Sequence, residues 1–253
     1  MQPAGTRRPA ICGSMRRRHR ASKRPVSQRP VLAPRERGAD MTAQLSYIHR
    51  FEPGVDPARP PLLLLHGTGG DEEDLLPLGH EVAPSASLLS PRGNVLEGAM
   101  PRFFRRIREG LFDEDDVRRR ANELADFIGE ARRAYRIAAP VALGYSNGAN
   151  IAAAVLLLRP ETLIGAILLR AMAPLADPPK SHLSGVPVLI LSGHNDPIVP
   201  ASSAKELARS LSAAGARVAH ETAPVGHGLT QADVMRAKEY YSEEFMRSGG
   251  QHQ

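Results

Sequence analysis

Apolar residues gather along this chain in short unbroken runs set between longer amphipathic stretches. Leu62-Leu63-Leu64-Leu65, Val141-Ala142-Leu143, Ala166-Ile167-Leu168-Leu169 and Val188 to Leu191 are apolar at every position. A strand with one wet face alternates, whereas a strand covered on both faces does not. These runs therefore predict the centre of a sheet with helices on either side. Leu45 to Phe51, loosely alternating, suggests an opening strand, and Ala86 to Ser90 and Arg217 to Thr222 suggest two more. Helical spacing fills the intervals. Phe112 to Ala134 places Leu124, Phe127 and Ile128 on one side and Asp113 to Asp116 near its start, where acids favour a helix N-terminus. Residues 147–158 and 230–246 predict two further helices, and Asp71 to Ala83 predicts a partial one that Pro77 and Gly79 threaten to break. Strands alternating with helices imply right-handed crossovers, a parallel sheet, and a ligand site at the strands' C-terminal ends.

Residues 94–111 resist a regular assignment. They mix Met100, Phe103, Phe104 and Leu111 with Arg102, Arg105, Arg106 and Arg108. One reading is a partial lid or ligand-binding wall with cationic edges, in which Met100, Phe103 and Phe104, with Phe112 just beyond, contact a ligand. The other is a surface loop whose aromatics pack inward while its arginines are solvated.

A length of 253 residues with 42% hydrophobic content suits one large α/β domain. The formal charge of +6 changes meaning when it is divided. Residues 1–40 carry 11 Lys+Arg against Glu36 and Asp40, a net +9, so the rest of the chain is at −3. Basicity thus belongs to the first 40 residues, which are rich in Arg, Pro and Ser and are expected to be disordered. The expected division is a basic tail over 1–40 and an α/β domain over 41–253, with Met41 read as the natural start. No apolar core follows Arg16-Arg17-Arg18 and no run approaches 18 apolar residues, so neither a secretory signal nor a membrane span is expected and the protein is read as cytoplasmic. The only cysteine, Cys12, lies in the tail, which leaves the domain without a disulfide, a thiol nucleophile or a cysteine metal site.

Chemistry concentrates where the apolar run at 141–143 turns through Gly144-Tyr145-Ser146-Asn147-Gly148 into the helix beginning at 147. A strand ending in G-x-S-x-G and continuing as a helix lifts the serine oxygen above the sheet edge, where it can attack a carbonyl. After the run at 62–65 comes His66-Gly67-Thr68-Gly69-Gly70, which lacks the Gly-Lys-Ser/Thr ending of a phosphate loop and runs into Asp71-Glu72-Glu73-Asp74. Acids there would repel phosphate. The loop is read as a backbone cradle for a developing oxyanion, with a purely structural turn as the alternative. A serine needs a histidine base, and the histidine needs a carboxylate to orient it. Asp196, in the loop after the run at 188–191, fits the acid, with Asp177 as rival. His227, in Val225-Gly226-His227-Gly228, fits the base, with His220 as rival inside a strand. His194 is read as a loop residue beside the acid and His66 as a buttress of the oxyanion loop; no ligand spacing calls for a metal.

Taken together, His66 to Glu72, Gly144 to Gly148, Gly193-His194-Asn195-Asp196 and Gly226-His227 resemble the phospholipase/carboxylesterase family of α/β-hydrolases, which includes acyl-protein thioesterases. The resemblance covers roughly residues 45–245, and Met100 to Asp116 is similar to a bacterial branch associated with resistance to quinones. It implies an α/β-hydrolase fold, a mostly parallel central sheet flanked by helices with a minimal lid. It also implies Ser146 as nucleophile, Asp196 and His227 as its partners, and the amides of Thr68 and Asn147 as the oxyanion hole, with no cofactor or metal. Thr68 stands where the thioesterases usually have leucine and Asn147 where they usually have glutamine. The expected activity is hydrolysis of carboxylic esters of small to medium acyl chain. Alternatives are acyl-thioesterase or lysophospholipase activity on longer chains and, more remotely, an inactive hydrolase fold with a nucleic-acid-binding tail. The expected partner is a small-molecule ester, not nucleic acid; pairing with a second copy as a homodimer is compatible with this reading.

Overall fold

The computed structural model describes residues 45–246, so the expectations for residues 1–40 and for Met41 lie outside the described residues. Eleven strands and five helices follow in the order β1 (His49–Glu52), β2 (Leu62–Leu65), α1 (Leu76–Val82), β3 (Leu88–Pro91), β4 (Val95–Glu97), β5 (Met100–Arg102), β6 (Arg106–Arg108), β7 (Leu111–Phe112), α2 (Glu114–Tyr135), β8 (Val141–Tyr145), α3 (Asn147–Leu158), β9 (Gly165–Leu169), β10 (Pro187–Gly193), α4 (Ala201–Ala213), β11 (Arg217–Ala223) and α5 (Gln231–Phe245). Seven strands form one sheet in the order β1-β3-β2-β8-β9-β10-β11. Only β1 runs antiparallel to its neighbour; the other pairings are parallel. This is the mostly parallel sheet that the unbroken apolar runs predict.

Those runs divide their side chains between two cores. Leu63, Leu65, Ala142, Ala166, Leu168, Val188 and Ile190 face one core, which they share with α2, α3 and α4. Leu62, Leu64, Val141, Leu143, Ile167, Leu169, Leu189 and Leu191 face the other, shared with α1 and α5. Successive side chains on a strand point to opposite faces, so a strand with a core on each side must be apolar throughout. All four leucines of β2 are fully buried, each worth about 1.5–3 kcal/mol of transfer free energy.

The helices begin where capping chemistry allows. Asp113 caps α2 by accepting from the Asp116 amide, so the helix starts two residues later than Phe112, which belongs to β7 instead. Pro77 falls in the first turn of α1, a position that needs no amide donor, and the acids before it lie in turns. Helix α4 is absent from the sequence reading: only Ala204, Leu207 and Leu211 are buried on it, three positions among polar residues. Residues 94–111 are also regular, forming the separate two-stranded hairpins β4–β5 and β6–β7. None of the described helices is long and apolar enough to cross a membrane.

From β2 the chain moves outward to β3, then returns to place β8 on the other side of β2. At such a switch point the loops leaving adjacent strands diverge and open a crevice at their C-terminal ends. Thr68 follows β2 and Ser146 follows β8.

Candidate active site

Ser146 has φ 52° and ψ −114°, a left-handed conformation that is costly for a residue with a side chain. The turn is pinned on both sides. Its amide donates to the Leu169 carbonyl at 2.8 Å and its carbonyl accepts from the Asn150 amide at 3.0 Å. A Cβ on Gly148 would lie 2.0 Å from the Leu65 carbonyl oxygen, and one on Gly144 would lie 2.7 Å from the backbone of Ala149. Both glycines are therefore demanded by the press of strand, helix and the end of β2 upon one another.

Ser146 Oγ lies 3.0 Å from His227 Nε2, and His227 Nδ1 lies 2.8 Å from Asp196 Oδ2. The Asp196 side chain is fully covered. Burial pushes its carboxyl upward, but the Val199 amide, His227 and the Ile198 amide together hold it below the ordinary aspartate value. It thus remains an anion that can accept a hydrogen bond from the His227 Nδ1–H and keep Nε2 free as an acceptor from the serine hydroxyl.

Three successive carbonyls fix the histidine loop. Arg170 donates through Nε to Gly226 O at 3.0 Å and through Nη2 to Gly228 O at 3.1 Å, while the Tyr145 hydroxyl donates to His227 O at 3.1 Å. Arg170 is fully buried and also meets the Asp233 carboxylate through both terminal nitrogens, at 3.0 and 2.7 Å. Burial pushes the Asp233 carboxyl up, but Arg170 and Thr230 outweigh this and hold it below the usual range. Sequence reasoning missed this clamp. Its one visible signal is a lone charge, Arg170, at the end of the apolar run Ala166 to Leu169.

On the opposite side His66 is buried, with Nδ1 donating to Gly67 O at 2.6 Å and Nε2 accepting from Gly93 N at 2.9 Å. Desolvation lowers its pKa, which favours the neutral ring this pattern needs. It buttresses the loop as its sequence position suggests. Among the described residues, no hydrogen bond occupies the amide of Thr68 or of Asn147.

The rivals lie elsewhere. Asp177 is exposed and contributes its carbonyl to Arg118; His220 sits on β11, 3.0 Å from Ser192 Oγ; His194 is exposed.

The cleft over Ser146 has a volume of about 290 Å³, and its walls include Thr68, Met100, Phe112, Asn147, Met172 and Val199. Met100 is 44% exposed and lines it as expected. Phe103 and Phe104 do not, and this corrects the sequence expectation. Both are fully buried in the core shared with α2 and α3. Phe103 packs on the His66 ring at 4.8 Å and Phe104 meets Phe112 edge-on at 5.0 Å, because two large adjacent aromatics gain more from a dry core than from a partly wet wall. Arg102, Arg106, Glu109 and Ile198 also line the cleft.

The phospholipase/carboxylesterase family matches residues 48–244. MhqD of Bacillus subtilis (strain 168) is 46% identical over 184 residues, spanning 72% of this chain and 92% of that protein. The crystal structure of the Bacillus cereus carboxylesterase is also 46% identical, with a TM-score of 0.77 over 81% of this chain and 96% of that one. A carboxylesterase from Mesorhizobium loti is 31% identical, with a TM-score of 0.75 over 79% and 96%.

Proposed function

Because the chain belongs to the phospholipase/carboxylesterase family of α/β-hydrolases, we propose that it cleaves carboxylic esters of small to medium acyl chain through Ser146, His227 and Asp196. The observation that carries this reading is the pair of contacts made by one imidazole, 3.0 Å to a strained, raised serine and 2.8 Å to a covered carboxylate. Ser146 Oγ attacks the ester carbonyl as His227 Nε2 takes its proton. The negative oxygen that develops is met by the amides of Thr68 and Asn147, on the two sides of the switch-point crevice. His227 then gives its proton to the departing alcohol, leaving an acyl-enzyme on Ser146. A water deprotonated by His227 attacks that ester; the bond from Ser146 Oγ to the acyl carbon breaks, His227 returns the proton to Oγ, and the acid leaves. Asp196 stays ionised throughout and stabilises the imidazolium of each step.

The size of the cleft supports a short acyl group. At about 290 Å³ it falls just below the usual range for small-molecule sites, ~300–1,000 Å³, which leaves little room for a long acyl chain. Initial rates on p-nitrophenyl esters of rising acyl length, with a long-chain acyl thioester alongside, test this. The expected kcat/KM is highest for acetyl to hexanoyl esters; a long-chain thioester turning over at least as well would shift the reading to a thioesterase.

A further inference from the structure

Thr68 and Asn147, the two positions that depart from the thioesterase pattern, both use their side chains. Arg102 Nη1 donates to Thr68 Oγ1 at 2.6 Å, and the Phe103 amide donates to Asn147 Oδ1 at 2.8 Å. One residue earlier, the Pro101 carbonyl accepts from the Gly69 amide at 2.9 Å. Three consecutive residues at the end of β5 thus hold both the loop after β2 and the first residue of α3.

We propose that Pro101–Phe103 is a strap that sets the spacing of the Thr68 and Asn147 amides, making Arg102 and the Thr68 and Asn147 side chains positioning residues for ester hydrolysis. The inference rests on the serine-esterase reading and deepens it. The two amides come from separate segments and must converge on one oxygen, at about 2.7–3.1 Å from where the charge develops. A misplacement of about 1 Å can cost ~10²-fold in rate. Leucine and glutamine could not make the same contacts: leucine has no oxygen, and glutamine carries its amide one methylene further out.

The strap is firmly anchored. Arg102 is 3% exposed; its Nε donates to Phe104 O at 3.2 Å and Nη1 lies 3.3 Å from Glu97. The Asn147 amide group is oriented by a donor that only oxygen can accept, and its Nδ2 has no partner among the described residues. Were packing the only demand, an apolar residue would avoid that buried donor. The oxygen is the part of the side chain in use.

The test uses the full chain and four variants: Thr68→Val, which keeps the shape and removes the hydroxyl; Thr68→Ser, which restores it; Asn147→Ala; and the double change Thr68→Val with Arg102→Gln. For the smallest p-nitrophenyl ester, Thr68→Val and Asn147→Ala should each lower kcat roughly 10- to 100-fold with KM within about twofold. Thr68→Ser should recover most of the loss, and adding Arg102→Gln to Thr68→Val should lower kcat further, since it also removes the strap's own anchors at Phe104 O and Glu97. Affinity for a trifluoromethyl ketone, whose adduct carries the oxyanion, should fall in step with kcat/KM. Unchanged kcat in both Thr68→Val and Asn147→Ala, or a Thr68→Ser as poor as Thr68→Val, would overturn the strap. Wild-type enzyme that hydrolyses esters and is labelled at Ser146 by a fluorophosphonate keeps the esterase reading separate from that outcome; wild-type enzyme unlabelled there overturns both.

Discussion

The loop carrying His227 and the loop carrying Thr68 lie on opposite sides of Ser146, yet they are held by different parts of the molecule. The histidine loop hangs from the sheet: Tyr145 ends β8, Arg170 follows β9, and Asp233 sits in the first turn of α5. The loop carrying Thr68 is tied to the sheet through His66, which bridges Gly67 and Gly93, but also from outside it, by the end of a three-residue strand in a hairpin that belongs to no core strand order. The proposed acid–base geometry is thereby tied to the most deeply packed part of the fold. Oxyanion geometry and the cleft wall share one short peripheral segment, so a change in the hairpins alters rate and selectivity together. Changes behind the histidine loop should instead be felt first as stability.

The largest effect that would sharpen this contrast is expected at Arg170. Arg170→Met leaves the Asp233 carboxylate buried without its partner, a loss of about 3–5 kcal/mol, read from urea midpoints at unchanged m. The wild-type Asp233 carboxyl is held low, so its contribution is complete above the unfolded aspartate value of about 3.9 and fades as the pH falls through the lower folded value. The variant should lack that share of the acid slope. An Arg170→Met protein as stable as wild type, but slower, would erase the distinction between the two loops.

An effect of similar size separates the two kinds of residue within 95–112. Phe103→Ala opens a hole in the core and should lower stability by about 3–5 kcal/mol. Met100→Ala, at the cleft's partly exposed wall, should cost under about 1 kcal/mol and instead raise KM for butyryl over acetyl esters. If Phe103→Ala changed chain-length preference without loss of stability, the aromatic would have to reach the cleft after all.

What was legible in the sequence follows the same division. The four unbroken apolar runs, the serine turn and the helix at 147–158 are read correctly because covered strands leave no polar positions and because the close approach at Gly144 and Gly148 admits no side chain. The hairpins are hidden: their strands are two or three residues long and turn through Gly98 and Gly110 at φ 62° and 72°, so no periodicity has room to develop. Phe103 and Phe104 read as wall residues because an aromatic between arginines looks half exposed, while burial was decided by α2 and His66 from elsewhere in the chain. The Arg170 clamp depends on Asp233, 63 residues later, and local pattern cannot announce such a pairing.

The central claim is that Ser146, presented to His227 and Asp196, is the nucleophile. Treating the wild-type protein with a fluorophosphonate and mapping the modified peptide by mass spectrometry tests it directly, with Ser146→Ala assayed on a short p-nitrophenyl ester in parallel. The account predicts a single adduct on Ser146, no adduct in the variant, and a fall in kcat of about 10⁴ to 10⁶ with the melting temperature retained. An adduct on another serine, or hydrolysis by Ser146→Ala near the wild-type rate, would contradict it.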